Sequence, residues 1–353
     1  MVETLKNSSF LTSIIETLEE EVKKRNKSSR IASKIAEKIK ENDDESKISD
    51  IISEEIISLS GKNKYYKILS AKLLRCYKFL NLKDLPEKLY RTLKILFKDP
   101  LCEVWLEASF TMSSLILFPA VAKYLNEEGK ADYGTHFERR SLASLGHRYL
   151  SDPEGTNKIL EDFLHKIDSK KSRDQIDLWT LRSFIYSFEK FFLKKPEDVI
   201  KWCKNILSLW DKTFIKTAIV LSISNIIKEQ QSFNVNNLRY IKELFNILKD
   251  LFNYLRDYSE QQKSPEEIYS FIEYKESLVK AIYELLFLKP ELNIEEEIAP
   301  LIHEVNQIVR KVLEDDFFSF WEQSMAVEQT CRLIYEQSLS SEEKTEYFNL
   351  LLD

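Results

Sequence analysis

Hydrophobic residues recur along most of this chain with a helical period. Apolar positions three or four residues apart predict amphipathic helices, whereas strict alternation, the mark of strands, is rare. Residues 1–60 predict three helices, with apolar stripes over about 10–22, 31–39 and 48–59. Four long helices are predicted at about 235–258, 265–288, 292–313 and 316–339. Short connections between helices favour antiparallel packing of neighbours.

Composition supports the same fold class. Only five glycines and eight prolines occur in 353 residues, whereas sheets joined by tight turns need many positions of positive φ. The four cysteines lie far apart within apolar helical patterns, which predicts buried thiols rather than disulfides or a metal site. The sequence therefore predicts an all-α protein.

Two further features bear on location. The first residues lack a basic segment followed by an apolar one, so no secretion signal is expected. The most apolar run, 109–122, is about 14 residues long and contains Pro119, whereas a membrane span needs about 20 residues. We expect a soluble intracellular protein of the cytoplasm, without a membrane segment.

Helix openings recur in the middle of the chain. Asp99, Thr135, Asp177 and Asp211 precede similar apolar segments at separations of 36, 42 and 34 residues. Such a period accommodates one helix pair with its turns. Each pair would be apolar on one side, so stacking of successive pairs would bury a continuous core.

The residues that follow these openings resemble the second helix of a HEAT repeat. The resemblance is carried by Val104 to Ala108, by Phe137 to Ser141 with Arg139-Arg140, and by Leu145-Gly146. It covers about residues 99–230. The resemblance implies a HEAT-like α-solenoid of antiparallel helix pairs with N- and C-terminal helical caps. We divide the chain into an N-terminal helical region (1–60), HEAT-like repeats (61–231) and an acidic C-terminal bundle or further repeats (232–353).

A basic cluster on the central repeat is the first candidate site. In a solenoid the second helix lines the concave face, where partners bind, and this helix carries Arg139, Arg140, His147 and Arg148. These four residues are predicted to contact a protein partner. The alternative is structural, since a HEAT-like arginine often bonds the carbonyl groups or acids of the neighbouring repeat.

Charge is unevenly distributed along the chain, whose net charge is −6. Residues 61–100 contain eleven Lys and Arg against three Asp and Glu, a balance of +8, and residues 291–353 contain four against fifteen, a balance of −11. Opposite charges at separate places allow a basic docking surface or end-to-end association. Lysines interleaved with tyrosines could also bind nucleic acid through phosphates and stacked bases. The candidate phosphate-binding residues are Lys62, Lys64, Lys67, Lys72, Arg75 and Lys78.

Arg140 and His147 also have the Arg-x6-His spacing of HEPN ribonucleases, another all-helical family. In that family, paired motifs across a dimer supply a general acid/base histidine and a phosphate-binding arginine. This resemblance implies a catalytic role for the two residues. No other enzyme motif occurs in the chain, and neither a metal nor a cofactor is expected. The sequence thus favours a non-catalytic scaffold that binds a protein partner, with nucleic-acid binding as the alternative and a ribonuclease as the third hypothesis.

Overall fold

The computed structural model describes residues 45–80, 82–229, 232–233, 235–255, 265–285, 289–290 and 295–315, with scattered residues between 318 and 349. The described residues confirm the all-α prediction, because helices form almost all of the regular structure. The exception is a two-residue parallel pairing of β1 (Ser232–Phe233) with β2 (Lys289–Pro290). The first two predicted helices, at 10–22 and 31–39, lie outside the described residues.

The chain divides into two compact units, residues 1–187 and 188–353. The boundaries predicted from the sequence, after residues 60 and 231, lie inside these units. The three-part organisation therefore stays a prediction.

Unit 1 contains ten described α-helices. They are α1 (Glu45–Ser60), α2 (Lys64–Leu74), α3 (Glu87–Phe97), α4 (Cys102–Ser114), α5 (Pro119–Lys123), α6 (Gly129–Ala143), α7 (Leu145–Ser151), α8 (Pro153–Asp168), α9 (Lys170–Arg173) and α10 (Leu178–Tyr186). A 3-10 turn, Arg75–Phe79, extends α2, and a π-helical turn, Tyr124–Glu128, joins α5 to α6. The predicted break at Pro119 is confirmed, since α4 ends at Ser114 and α5 begins with the proline.

The helices of unit 1 pack in a regular order. Helix α2 packs against α4, α4 against α6 and α7, and α6 against α10. In addition, α1 packs against both α2 and α3, and α3 packs against α4. Helices α2, α4, α6 and α10 therefore contact one another in succession.

An aromatic cluster joins the middle of unit 1. The ring of Phe97 on α3 lies 6.1 Å from the ring of Tyr124 and 5.8 Å from that of Phe137 on α6, centre to centre. Tyr124 and Phe137 meet edge to face at 5.8 Å. All three side chains are buried, and such contacts stabilise a core beyond the area that they bury.

Unit 2 contains six described α-helices. They are α11 (Phe188–Phe192), α12 (Pro196–Leu209), α13 (Thr213–Glu229), α14 (Val235–Asn253), α15 (Pro265–Glu284) and α16 (Glu295–Glu314). The most extensive packing is between α13 and α15, and α12 packs against α14. The predicted long helices at 235–258, 265–288 and 292–313 correspond to α14, α15 and α16, while only scattered residues of the fourth are described.

The proposed helix openings differ in what they do. Asp177 caps α10, because its Oδ1 accepts hydrogen bonds at 3.0 Å from the backbone N–H groups of Trp179 and Thr180. Asp99 Oδ1 accepts from the backbone N–H of Leu101 at 2.9 Å, immediately before α4. The range given for α6 joins two helical segments across a kink at Gly134, whose φ and ψ are not helical, so the second segment begins at Thr135 as predicted. The fourth opening, at residue 211, precedes α13 by two residues.

The prediction of four buried cysteines is wrong for two of them. Cys76 and Cys203 are buried, and burial raises the pKa of each thiol to about 12. Cys102 and Cys331 are exposed. Cys102 is the first residue of α4 and precedes Val104, which is the first buried residue of that helix.

Within the part of the chain that the structure describes, no single helix is long and apolar enough to cross a membrane. Two segments pass that test of length and composition only when taken together, Cys102–Ser114 and Pro119–Asp132, and they are bent by 117° relative to each other.

Gly134 provides a test of the kink in α6. Its φ of +59° and ψ of −139° lie in a region that residues with a side chain rarely adopt, although a Cβ here would have no neighbour within 4 Å. We expect Gly134→Ala to lower the free energy of unfolding by about 1–3 kcal/mol through backbone strain alone. Chemical denaturation would measure the loss, with Gly61→Ala at an ordinary φ as the control. Equal stability of the two variants would contradict the kinked geometry.

Candidate functional site

Helix α3 presents an unusual outer face. Its buried stripe consists of Leu89, Leu93 and Leu96, which recur at helical spacing and pack into the core. Ile95 lies off this stripe and is 66% exposed. Arg91 precedes Ile95 by four positions, so the two share the solvent face of the helix. The sequence of α3 thus places a large apolar side chain among cations.

This face forms one wall of an open groove of about 710 Å³. The groove runs between α3, the segment before it and the start of α5. Its lining consists of Asp84, Leu85, Glu87, Tyr90, Arg91, Lys94, Ile95, Lys98 and Ala120. Apolar side chains therefore lie beside three cations and two carboxylates in one concave surface.

Asp132 on α6 holds the lysines of the groove in place. Its Oδ2 lies 2.6 Å from Lys98 Nζ and 3.7 Å from Lys94 Nζ, and it accepts a hydrogen bond from the Tyr124 hydroxyl at 2.9 Å. Lys94 Nζ also lies over two rings, 4.6 Å from the centre of Tyr124 and 5.6 Å from that of Tyr90. Cation–π contact and ion pairing together orient the ammonium group along the groove.

These contacts move the pKa values of three groups away from neutrality. The hydrogen bond from Lys98 holds the pKa of the Asp132 carboxyl below its usual value. Burial, followed by the bond to Asp132, raises the pKa of Tyr124, and burial with the charges of Glu128 and Asp132 raises that of Tyr90. At neutral pH Asp132 is therefore charged and both tyrosines are neutral. This arrangement suits binding rather than proton transfer by these three groups.

The residues predicted to bind phosphate lie mainly against α4. Three of the six point toward acids that the sequence places more than thirty positions away. Their ion pairs are Lys64–Glu103 at 2.7 Å, Lys67–Asp99 at 2.8 Å, and Arg75–Glu107, where Arg75 Nε also donates to Thr111 at 3.0 Å. Much of the local positive charge is therefore neutralised by the neighbouring helix.

The other three members of that set lie in different surroundings. Lys62 Nζ lies 5.3 Å from the ring centre of Tyr66. Lys78 donates to Ser151 at 2.9 Å, and burial lowers its pKa. Lys72 is partly buried in the last turn of α2. The structure does not bring the six residues together into one groove.

Arg140 lies inside the protein, contrary to the prediction that it contacts a partner. Only 5% of it is exposed, and its guanidinium donates to the carbonyl oxygens of Phe97 and, at 3.2 Å, of Asp99. The guanidinium also lies 4.9 Å from the ring centre of Trp105. Arg140 therefore connects α6 to the end of α3 and the start of α4, which is the structural alternative stated for it.

The other three predicted partner-binding residues are buried or partly buried. Arg148 is buried, which lowers its pKa, and it donates to the side chain of Asn126 at 2.6 Å. Arg139 pairs with Asp177 at 3.1 Å, and the His147 ring stacks on Phe110 at 4.4 Å. The arginines at 140 and 148 are thus part of the core, and Arg139 and His147 remain at the surface.

The burial of Arg140 also bears on the ribonuclease hypothesis. That mechanism requires the arginine to reach a phosphate, whereas its guanidinium here is occupied by backbone carbonyls. Among the described residues, no group of three or more His, Cys, Asp or Glu side chains is arranged to hold a metal ion. We therefore retain no catalytic assignment for Arg140 and His147.

Sequence reasoning missed the α3 groove. It assigned the basic stretch from Lys62 to Lys98, with Tyr90 among its tyrosines, but did not single out Lys94 or Ile95. The available signal was Ile95 itself, which lies one position before Leu96 and two after Leu93 and so cannot share their face. The position of Ile95 in the sequence could not show that Ala120 lines the same groove or that Asp132 pairs with Lys98.

The candidate site is assigned from its geometry, because comparisons with known proteins gave no match: no protein family model, no curated protein and no solved structure matches this chain.

Arg140 and Arg139 form a matched pair for a stability test. We expect Arg140→Lys to lower the free energy of unfolding by about 2–3 kcal/mol, because an ammonium cannot reach both carbonyls and also stack on Trp105. Arg139→Lys should cost less than about 1 kcal/mol, since that side chain is more exposed and its ion pair is with a half-exposed carboxylate. Urea denaturation of both variants would measure this difference, and equal losses would contradict the assigned role of Arg140.

The lowered pKa of Asp132 predicts a pH dependence of stability. Its folded-state pKa lies below the unfolded value of about 4, so its contribution is present above pH ~4 and is lost as the pH falls through the folded pKa. The difference in unfolding free energy between the wild type and Asp132→Asn should therefore shrink between pH 6 and pH 3. A difference that stays constant over this range would show that the carboxylate charge does not stabilise the fold.

Proposed function

We propose that this protein is a non-catalytic scaffold that binds a protein partner in the α3 groove. The observation that carries the proposal is Ile95, an exposed isoleucine in a concave surface that also presents Arg91, Lys94 and Lys98. Protein interfaces combine an apolar centre with a polar rim and are enriched in arginine, and this surface has all three features. The chemistry favours a partner segment that offers an apolar side chain flanked by carboxylates.

We further propose that unit 1 is a HEAT-like α-solenoid. Support comes from the order of packing, in which α2, α4, α6 and α10 contact one another in sequence, as successive repeats do. Further support comes from Asp99 and Asp177, which each bind a basic residue of an earlier helix, Lys67 and Arg139 respectively. In such an array α3 belongs to the outer row, so the proposed binding groove lies on the outer helices.

The nucleic-acid alternative receives less support. Lys64, Lys67 and Arg75 pair with acids of unit 1, so phosphates would have to displace those carboxylates. In the groove, the ion pair between Arg91 and Glu87 is highly exposed, so a ligand would displace Glu87 more easily than it would displace those acids.

A matched pair of variants tests the proposed groove. Ile95 and Leu117 are both in unit 1 and are 66% and 67% exposed, but only Ile95 lines the groove. We expect Ile95→Asp to abolish stoichiometric copurification of a protein partner from native cells at 150 mM salt, while Leu117→Asp retains it. Circular dichroism and thermal melts would establish that both variants fold.

Two results would contradict the proposal. One is equal partner capture by Ile95→Asp and the wild type. The other is an eluate that contains nucleic acid instead of protein and loses it steeply with salt, which would favour the alternative.

A further inference from the structure

We propose that the protein associates with itself head to tail, with the outer face of α15 of one copy seated in the α3 groove of another. The inference rests on the proposed function, because it takes the α3 groove to be a protein-binding surface and names its occupant. Both surfaces belong to described helices, one in each unit.

The first two turns of α15 expose a patch of large apolar side chains. Ile268, Tyr269 and Ile272 are 50%, 74% and 42% exposed. Further along the helix, Tyr274, Leu278 and the following apolar positions are buried in unit 2, so the exposed patch is confined to the start of α15. A cluster of exposed apolar residues on one side of a helix is typical of an interaction site.

Glu276 extends the patch with a negative charge. It follows Ile272 by four residues and Ile268 by eight, so the three side chains lie on one side of α15. The helix as a whole contains five glutamates and two lysines, and one of those lysines, Lys275, is buried beside Glu322 at 3.3 Å. The outer face of α15 is therefore apolar and acidic.

The α3 groove offers the complementary chemistry. Ile95 lies in the middle of a face that also carries Lys88, Arg91 and Lys98. A helix packed antiparallel or parallel to α3 could place Ile95 between Ile268 and Ile272, since ridges one turn apart leave a groove for one side chain. The acidic residue of α15 would then lie beside the arginine or lysines of α3.

Charge also favours a head-to-tail contact between two copies over a contact between identical surfaces. Pairing α15 with α15 would bring glutamates together, and pairing α3 with α3 would bring Arg91 and its neighbouring lysines together. Only the heterologous contact joins the mainly acidic α15 to the mainly basic face of α3.

Two physical consequences follow. A contact between two different surfaces, repeated from copy to copy, generates a ring if its rotation closes and a filament if it does not. One helix face buries less than the roughly 800 Å² per partner of a standard interface, so association should be weak and dependent on concentration and salt.

The experiment uses the full chain and two charge-reversed variants. One variant carries Lys88→Glu and Arg91→Glu on α3, and the other carries Tyr269→Lys and Glu276→Lys on α15. Sedimentation velocity between about 5 and 500 μM would follow the average mass at low and high salt. We expect the wild-type mass to rise with concentration at low salt, and each variant alone to associate about tenfold more weakly.

Mixing the two variants distinguishes the geometry. In a head-to-tail contact, the unmodified α15 of the first variant meets the unmodified α3 of the second, so a 1:1 mixture should regain association. Persistent self-association of the α3 variant, or a mixture that remains monomeric while the wild type associates, would overturn the inference.

The inference and the proposed function fail in different ways. A wild type that stays monomeric up to 500 μM would overturn self-association. The comparison of Ile95→Asp with Leu117→Asp for a different partner would still decide the proposed function. Conversely, association that Ile95→Asp leaves unchanged would exclude the groove from self-association even if another protein binds there.

Discussion

The packing of unit 1 depends most on one buried carboxylate, that of Asp99. Its Oδ1 accepts from the backbone at the start of α4, and its Oδ2 pairs with Lys67 on α2. Its carbonyl oxygen accepts from the Arg140 guanidinium on α6. A buried charge is costly unless it is paired and hydrogen-bonded, so α2 and the start of α4 pack in a register that satisfies the Asp99 carboxylate, while Arg140 joins α6 to the same residue through its backbone.

This constraint determines which charges remain for binding. Lys64 and Arg75 pair with acids of α4, and Arg140 on α6 donates to the carbonyl of Phe97 at the end of α3, so these cations are structural. On helix α3, Asp132 pairs with Lys94 and Lys98, and Ile95 is 66% exposed. The two proposals therefore concern the same face, one as a site for a partner and the other as a site for a second copy.

Prediction succeeded where the signal was local. The cap at Asp177, the break at Pro119 and the long helices α14 to α16 follow from residues within one or two turns of each feature. It failed where partners are distant in the chain. Lys64 was predicted to bind phosphate, but Glu103, thirty-nine residues later, lies 2.7 Å away. Neither the helical period nor the composition of the basic stretch predicts the ion pair between Lys64 and Glu103.

Arg139 and Arg140 show what local sequence determined and what only tertiary packing decided. Local sequence alone established that both belong to a helix and that the chain is all-α, because periodicity, breaks and caps act over a few residues. Tertiary packing decided which of the two is internal. Consecutive residues on a helix point about 100° apart, so one guanidinium reaches the carbonyls of Phe97 and Asp99 and the other reaches Asp177 at the surface.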